Sequence, residues 1–401
     1  MPVPPADQNA RTRWLITLYG LTAFATTLSA RSLDPILPEI ARDFAAATDT
    51  VALIASAFAL PYAFIQPILG PVGDALGKRR IIALATVLTG LALVACALAS
   101  SLGGLFLCRA LAGAAAGGIY PLVIATFGDR VPMAQRQVAL SRLLAFSTTG
   151  QIAGGVLSGL VHELVDWRGI LGGGAVAVLA MSLVLWRDIR REPDPPPGRL
   201  DAVAAVGRYA GLLRLPMARL VYAAVATEGL LAFGLFPYMA SMLTEWRIGG
   251  PLQAGIAIGA FGAAGLANTL LAGPMLSRLG LAAMQRVAGM LVSLGFALIA
   301  ATGWYADASP GVLPVAAGMF TIGVGYFTMH SSLQTRVTEI APRARGSAVA
   351  LFAFFFFVGQ SLGPLLFGAL LVWLGAVPTL LAIGAGMLAL GFGLSRVLRT
   401  A

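Results

Sequence analysis

Three ionisable residues stand inside otherwise apolar sequence: Asp34, Arg109 and Glu228. Charged groups in such settings mark proton, ion or substrate pathways, because hydrocarbon tolerates them only against a partner or water. Glu228, in Ala226-Thr227-Glu228-Gly229, lies about ten residues into its apolar run, near the middle of a membrane-spanning helix. A carboxyl there can exchange a proton or hold a cationic substrate; the plainer alternative is a neutral, hydrogen-bonded structural Glu. Arg109 is the one charge between Ile81 and Gly128. It either meets a partner inside the protein or snorkels to the membrane surface about 7–8 Å away. Asp34, in Leu33-Asp34-Pro35, reads locally as an Asp-Pro turn that pairs with Arg31 one turn back. His330 could titrate near neutral pH, although a lone helical His is more often a packing residue, and His162 beside Glu163 reads as surface.

Around these charges lie Tyr62, Tyr120, Phe233, Phe236, Tyr238, Tyr326 and Phe327, with Asn268, His330 and Gln360 as polar options. An apolar cavity with a few polar groups suits an amphipathic or lipophilic solute, and lipid-facing packing explains many of the same residues equally well. Cys96 and Cys108 both fall in apolar runs, so neither a disulfide framework nor a metal site is expected, nor any cofactor. No convergent nucleophile or metal constellation points to an enzyme.

The elements that position these groups follow from composition. Of 401 residues 58% are hydrophobic and 11% charged, too few charges to coat a soluble protein, so lipid is the solvent for most of the surface. The net charge of +10 does not indicate nucleic acid, because the basic residues come in short bursts between uncharged runs. A spanning helix needs about 20 apolar residues, and twelve windows qualify, near 14–36, 50–71, 80–99, 104–126, 138–160, 168–187, 218–242, 252–275, 283–304, 312–334, 346–370 and 373–395. The first reads as a retained span and not a signal peptide. Gly346 to Ser395 carries no charge and must reverse near Gly375-Ala376-Val377-Pro378. With the N-terminus in the cytoplasm, 22 of the 27 Lys and Arg face inward, and Arg31, Arg42, Arg168 and Arg247 face outward. The positive-inside rule therefore expects both termini in the cytoplasm.

The polar stretch from Arg187 to Arg219 divides the spans six and six. It reads as a solvated linker able to carry a short amphipathic helix. The expected domains are 1–190, a linker at 191–214, and 215–401. A shift of 209 positions aligns Arg136, Phe146, Gly150, Gln151, Gly154 and Gly159 with Arg345, Phe355, Gly359, Gln360, Gly363 and Gly368. A second echo pairs Gly70-Pro71 and Gly77 with Gly273-Pro274 and Gly280. Two duplicated halves imply a substrate site between them near the midplane.

The loop Gly70-Pro71-Val72-Gly73-Asp74-Ala75-Leu76-Gly77-Lys78-Arg79-Arg80 resembles the major facilitator superfamily signature G-x-L-x-D-R-x-G-R-R, with Ala75 where an Arg is usual. The resemblance covers essentially the whole chain. It implies an all-α membrane fold of twelve helices in two pseudo-symmetric six-helix bundles, in which Gly70, Gly73, Asp74, Gly77, Lys78, Arg79 and Arg80 gate the cytoplasmic side. A positive-inside turn without a gating role is the alternative. Arg109 to Gly113 is similar to the R-x-x-x-G helix motif, and Asp34 to Pro38 to the D-x-x-x-P signature of drug:proton antiporters. The resemblance implies that Asp34 faces Arg109 as a proton carrier. Gly150, Gly154, Gly155 and Gly159, followed by Trp167-Arg168, are similar to the antiporter motif G-P-x-x-G-G-x-x-x-G, with Gln151 replacing Pro. These glycines are expected to pack helices closely.

The reading is a monomeric proton-coupled antiporter of a bacterial inner membrane, exporting a small amphipathic or lipophilic molecule, with Asp34, Arg109 and Glu228 coupling protons. Its partners are the solute, protons and lipid, with no nucleic acid. An importer of a small metabolite, proton-coupled or facilitative, and a non-transporting receptor or scaffold remain alternatives.

Overall fold

A computed structural model describes residues 5–192, 202–308, 310–340 and 345–397, and among them every regular element is helical. The twelve apolar windows all fall on helices. In the first bundle these are α1 (Pro5–Arg31), continued past a turn by α2 (Leu37–Asp43), then α3 (Thr48–Leu76), α4 (Lys78–Ala97), α5 (Leu102–Ala116) running on into α6 (Ile119–Arg130), α7 (Met133–Val161) and α8 (Trp167–Arg191). After α9 (Ala202–Arg214), the second bundle holds α10 (Pro216–Phe233) with its continuation α11 (Met239–Glu245), α12 (Pro251–Trp304), α13 (Leu313–Ile340), α14 (Arg345–Leu374) and α15 (Ala376–Val397). Nine stretches among the described residues are long and apolar enough to cross a membrane.

Local chemistry sets the ends. Ser101 and Asp166 cap α5 and α8 by accepting the backbone N–H groups of Gly104 and Gly169. Pro216 and Pro251 occupy first-turn positions, where a missing N–H costs nothing. Two reversals need left-handed backbone that glycine adopts without strain. Gly280 (φ +70°) divides α12 into the two runs expected at 252–275 and 283–304, and Gly375 (φ +79°) separates α14 from α15 where the reversal was expected.

Counting crossings puts both chain ends on one side of the molecule, here the terminus side; the opposite side is the far side. On the far side α1 and α10 are each interrupted by a single 3₁₀ turn, Asp34–Ile36 and Phe236–Tyr238, each with proline at its centre. The halves thus share a break as well as a helix count. The helical path beyond Asp34 continues to Asp43, seven residues past the end of the first apolar window.

Two apolar clusters pack the first bundle and one large cluster packs the second, which also takes in Ala52 of α3. The bundles meet along α3 against α14 and α7 against α12. The expected linker helix exists as α9, and its Tyr209 hydroxyl donates to the Pro67 carbonyl of α3 at 2.8 Å.

Candidate functional site

The turn at Asp34–Ile36 carries Asp34 into the protein, where it is 3% exposed. Its Oδ2 accepts from Arg31 Nη1 at 3.1 Å, so the local pairing forms in the interior and not at a surface. Arg109 is buried on α5, with its guanidinium 4.6 Å from the Phe58 ring and Nη2 donating to the Ala30 carbonyl at 3.3 Å. It does not snorkel. Its Nε and Nη1 have no hydrogen-bond partner among the described residues, where the ion-pair partner of Asp34 is Arg31 and not Arg109.

In the second bundle Glu228 of α10 is 0% exposed, and its Oε2 lies 2.9 Å from His330 Nδ1 of α13. Oε1 has no partner among the described residues. Aromatic rings enclose the pair: His330 is 4.8 Å from Phe356, 5.2 Å from Phe352 and 5.3 Å from Tyr326, centroid to centroid. Tyr326 in turn contacts Phe233, Phe261 and Phe327. The close approach that makes this possible comes from glycine: a Cβ on Gly359 of α14 would run into the Ala226 carbonyl, two residues from Glu228.

Between the bundles lies a cavity of about 20 Å³, lined by Arg31, Thr148, Gln151, Ile152, Phe236, Ile258, Phe261, Gly262 and Phe327. That is room for about one water molecule. Three of the residues singled out in the sequence, Phe236, Phe327 and Gln151, reach this cavity, and Phe233 and Tyr326 stand one layer behind Phe236 and Phe261. The others lie elsewhere. Tyr62 packs on Phe357 at 4.3 Å along the α3–α14 seam. Tyr238 donates to the Pro364 carbonyl and stacks on Phe367, inside the second bundle. Tyr120 packs against the first-bundle core, and Asn268 accepts from the Thr328 hydroxyl at 2.8 Å. Gln360 lies on α14 with its backbone against Gly229 of α10.

The glycines of α7 serve two different neighbours. Cβ atoms on Gly150 and Gly154 would strike α1 backbone at Phe24 and Leu28. Gly155 and Gly159 face α12 of the other bundle, and a Cβ on Gly255 would come within 2.7 Å of the Gly155 carbonyl oxygen. The far-side contact between α7 and α12 is therefore nearly backbone on backbone.

On the terminus side the basic loop meets acids of its own bundle. Lys78 Nζ lies 2.6 Å from Asp129, and Arg79, 1% exposed, is 2.5 Å from Asp188. Arg11 bridges Asp188 and Glu192, Arg130 reaches Glu192, and the Trp14 indole donates to Asp188. Burial pushes the Glu192 carboxyl up, but Arg11 and Arg130 outweigh it and hold it below the usual range. Arg80 is exposed, Gly70 faces open space, Gly73 abuts Leu122 and Gly77 ends α3. The Asp74 side chain lies outside the described residues. On the far side Asp43 accepts from the Trp167 indole at 2.8 Å and from Arg168 at 2.7 Å, which hold its carboxyl below the usual range.

Sequence reasoning passed over Arg31, Phe58, Asp43 and Asp188 as site residues. Asp188 had a faint signal, as the sole acid in Arg187-Asp188-Ile189-Arg190-Arg191. Arg31 counted as an outward charge and as a local partner of Asp34, not as a contact between bundles.

Comparison with known proteins agrees with this architecture. The profile of the Major Facilitator Superfamily matches residues 19–364. YwfA of Bacillus subtilis, described as an uncharacterized MFS-type transporter, is 26% identical over 386 residues, covering 95% of this chain and 91% of its own. The quinolone resistance protein NorA of Staphylococcus aureus is 26% identical over 364 residues, covering 88% and 89%. A crystal structure of the nucleoside transporter NupG superposes with a TM-score of 0.76 over 94% of this chain and 98% of that one. At 16% identity that likeness speaks for the fold alone.

Proposed function

We propose that this chain, which belongs to the Major Facilitator Superfamily, is a proton-coupled antiporter that exports a small amphipathic or lipophilic molecule by alternating access. The transport class follows from the family; antiport, export and the solute class are the proposal. Its main support is the Glu228–His330 pair, two ionisable side chains 2.9 Å apart and flanked by aromatic rings in the helical core, with Glu228 fully buried and His330 20% exposed. A carboxyl in low dielectric keeps its charge only against a partner or water, so its protonation follows whichever face is open. Glu228 would load a proton from the far side and release it on the terminus side, with His330 as the partner that holds the vacated carboxylate. Asp34, paired with Arg31, would be a second acid near the bundle interface, with Arg109 proposed to tune it. Likeness to NorA over nearly its whole length favours efflux.

Under this reading units 1–190 and 215–401 rock about the linker at 191–214. The excess of basic residues on the terminus side favours a cytoplasmic location for both termini in a bacterial inner membrane, and the transport unit is a monomer. The test uses proteoliposomes containing a pH dye, with no imposed gradient, challenged with lipophilic cations, zwitterions and small metabolites. Solute should drive proton counterflow in wild type, and Glu228→Gln and Asp34→Asn should lose it. Solute and protons moving in the same direction, or transport indifferent to both substitutions, would overturn the proposal.

A further inference from the structure

The guanidinium of Arg31 lies 4.9 Å from the centroid of Phe233 and 5.0 Å from that of Phe236, two rings stacked on each other at 5.2 Å. Both distances are within the range in which a cation is attracted to a ring face, and desolvation strengthens that attraction. Arg31 belongs to the first bundle and the rings to the second, and Arg31 and Phe236 both line the inter-bundle cavity. A tethered cation from one half thus fills an aromatic site of the other.

We propose that Arg31 is an internal occupant of the solute's aromatic subsite, a plug that a cationic solute must displace from Phe233 and Phe236. Charge accounting selects a cation over an anion. An incoming anion would have to take Arg31 from Asp34 and leave a 3%-exposed carboxylate unpaired, a large desolvation cost. An incoming cation takes the place of Arg31 on the rings and inherits Asp34 as counter-ion, while the displaced guanidinium, already 12% exposed on a long flexible side chain, swings out to water. The same exchange removes a contact that joins the bundles, so binding and opening become one event. The solute class is a monovalent, delocalised cation on an apolar body. This inference rests on the transport reading above for its physiological role, but its test is a binding measurement that does not depend on proton coupling.

The experiment titrates the purified full-length chain in detergent with benzylguanidinium, and with neutral benzylurea of the same shape. Arg31→Ala should bind benzylguanidinium about tenfold more tightly than wild type, with benzylurea unchanged, and adding Asp34→Asn should erase the gain. Arg31→Lys, which keeps the ion pair but stacks less well, should show about a threefold gain and serves where the alanine variant folds poorly. Unchanged or weakened benzylguanidinium binding in both variants overturns the proposal, as does failure of every variant to bind it. Loss of phenylacetate binding in Arg31→Ala would also overturn it, by making Arg31 an anion-binding group. A binding gain without proton counterflow in proteoliposomes would retain this inference and remove the antiporter; counterflow without the gain would do the reverse.

Discussion

Replacing Asp188 by Asn keeps its shape and removes one charge from the most densely paired acid among the described residues. Asp188 is 4% exposed as a residue and accepts from Arg11 at 2.6 Å, Arg79 at 2.5 Å and the Trp14 indole at 2.8 Å. Arg11 is one-third exposed, and a pair of that kind contributes up to about 1 kcal/mol. The Arg79 pair is buried on both sides, and removing one partner of such a pair costs about 3–5 kcal/mol because the other charge stays desolvated. At roughly 2–4 °C per kcal/mol for a unit the size of one bundle, Asp188→Asn should lower the apparent Tm by about 10 °C. The assay is thermal unfolding in detergent followed by labelling of Cys96, which is fully buried in the first bundle. A further variant, Arg79→Met with Asp188→Leu, should recover more than half of the loss, since apolar groups of similar volume replace buried pairs at little cost. A loss under about 2 °C for Asp188→Asn would refute the claim that this pair holds the bundle together.

On the far side, the depressed Asp43 carboxyl stabilises the fold above the ordinary Asp pKa of about 3.9 and loses that contribution as pH falls through its lower folded value. The Tm difference between wild type and Asp43→Asn should therefore be constant at neutral pH and vanish in strong acid; because the side chain is 44% exposed, it should amount to less than about 1 kcal/mol. Gly359→Ala should cost about 1–3 kcal/mol by forcing α14 away from the Ala226 carbonyl, and should weaken Glu228-dependent counterflow; a wild-type Tm would contradict the packing described. Gly255→Val should prop α12 off α7 and raise labelling of a cysteine replacing Ile258, which packs on Gly155, by an impermeant maleimide several-fold, while unchanged labelling would show that the backbone contact is not what closes the far side.

The spans were legible because lipid imposes a length and an apolarity on each crossing, and Gly280 and Gly375 stand where the chain must reverse. The paired breaks at Asp34–Ile36 and Phe236–Tyr238 were not, because proline near a helix end reads equally as a terminus or a kink. Glu228 and His330 were each noticed singly; their pairing, across 102 positions, is a product of how α10 and α13 pack. Arg31 was discounted by the very rule that oriented the protein, which sorts charges by side and says nothing about depth after a turn. Tyr238 and Asn268 show the converse, since both have the types expected of a binding site and both spend their polar atoms on neighbouring helices.

The two kinds of charge cluster fit different mechanical roles. The terminus-side pairs described above join α1, α4, α6 and the end of α8, all within the first bundle. Pairs internal to one bundle need not break when two bundles rock, so this network stiffens a rigid body, and its removal should show in stability before it shows in transport. The contacts that join the two bundles on the far side are of the opposite kind. Gly155 against Gly255, and Arg31 against Phe233 and Phe236, all cross between bundles and hold the cavity to the size of about one water molecule. A solute large enough to be worth transporting cannot enter that volume with these contacts intact. Under the proposed cycle, the energy that separates the conformations resides in close apolar packing and one stacked guanidinium, a junction that a single bound cation is proposed to shift.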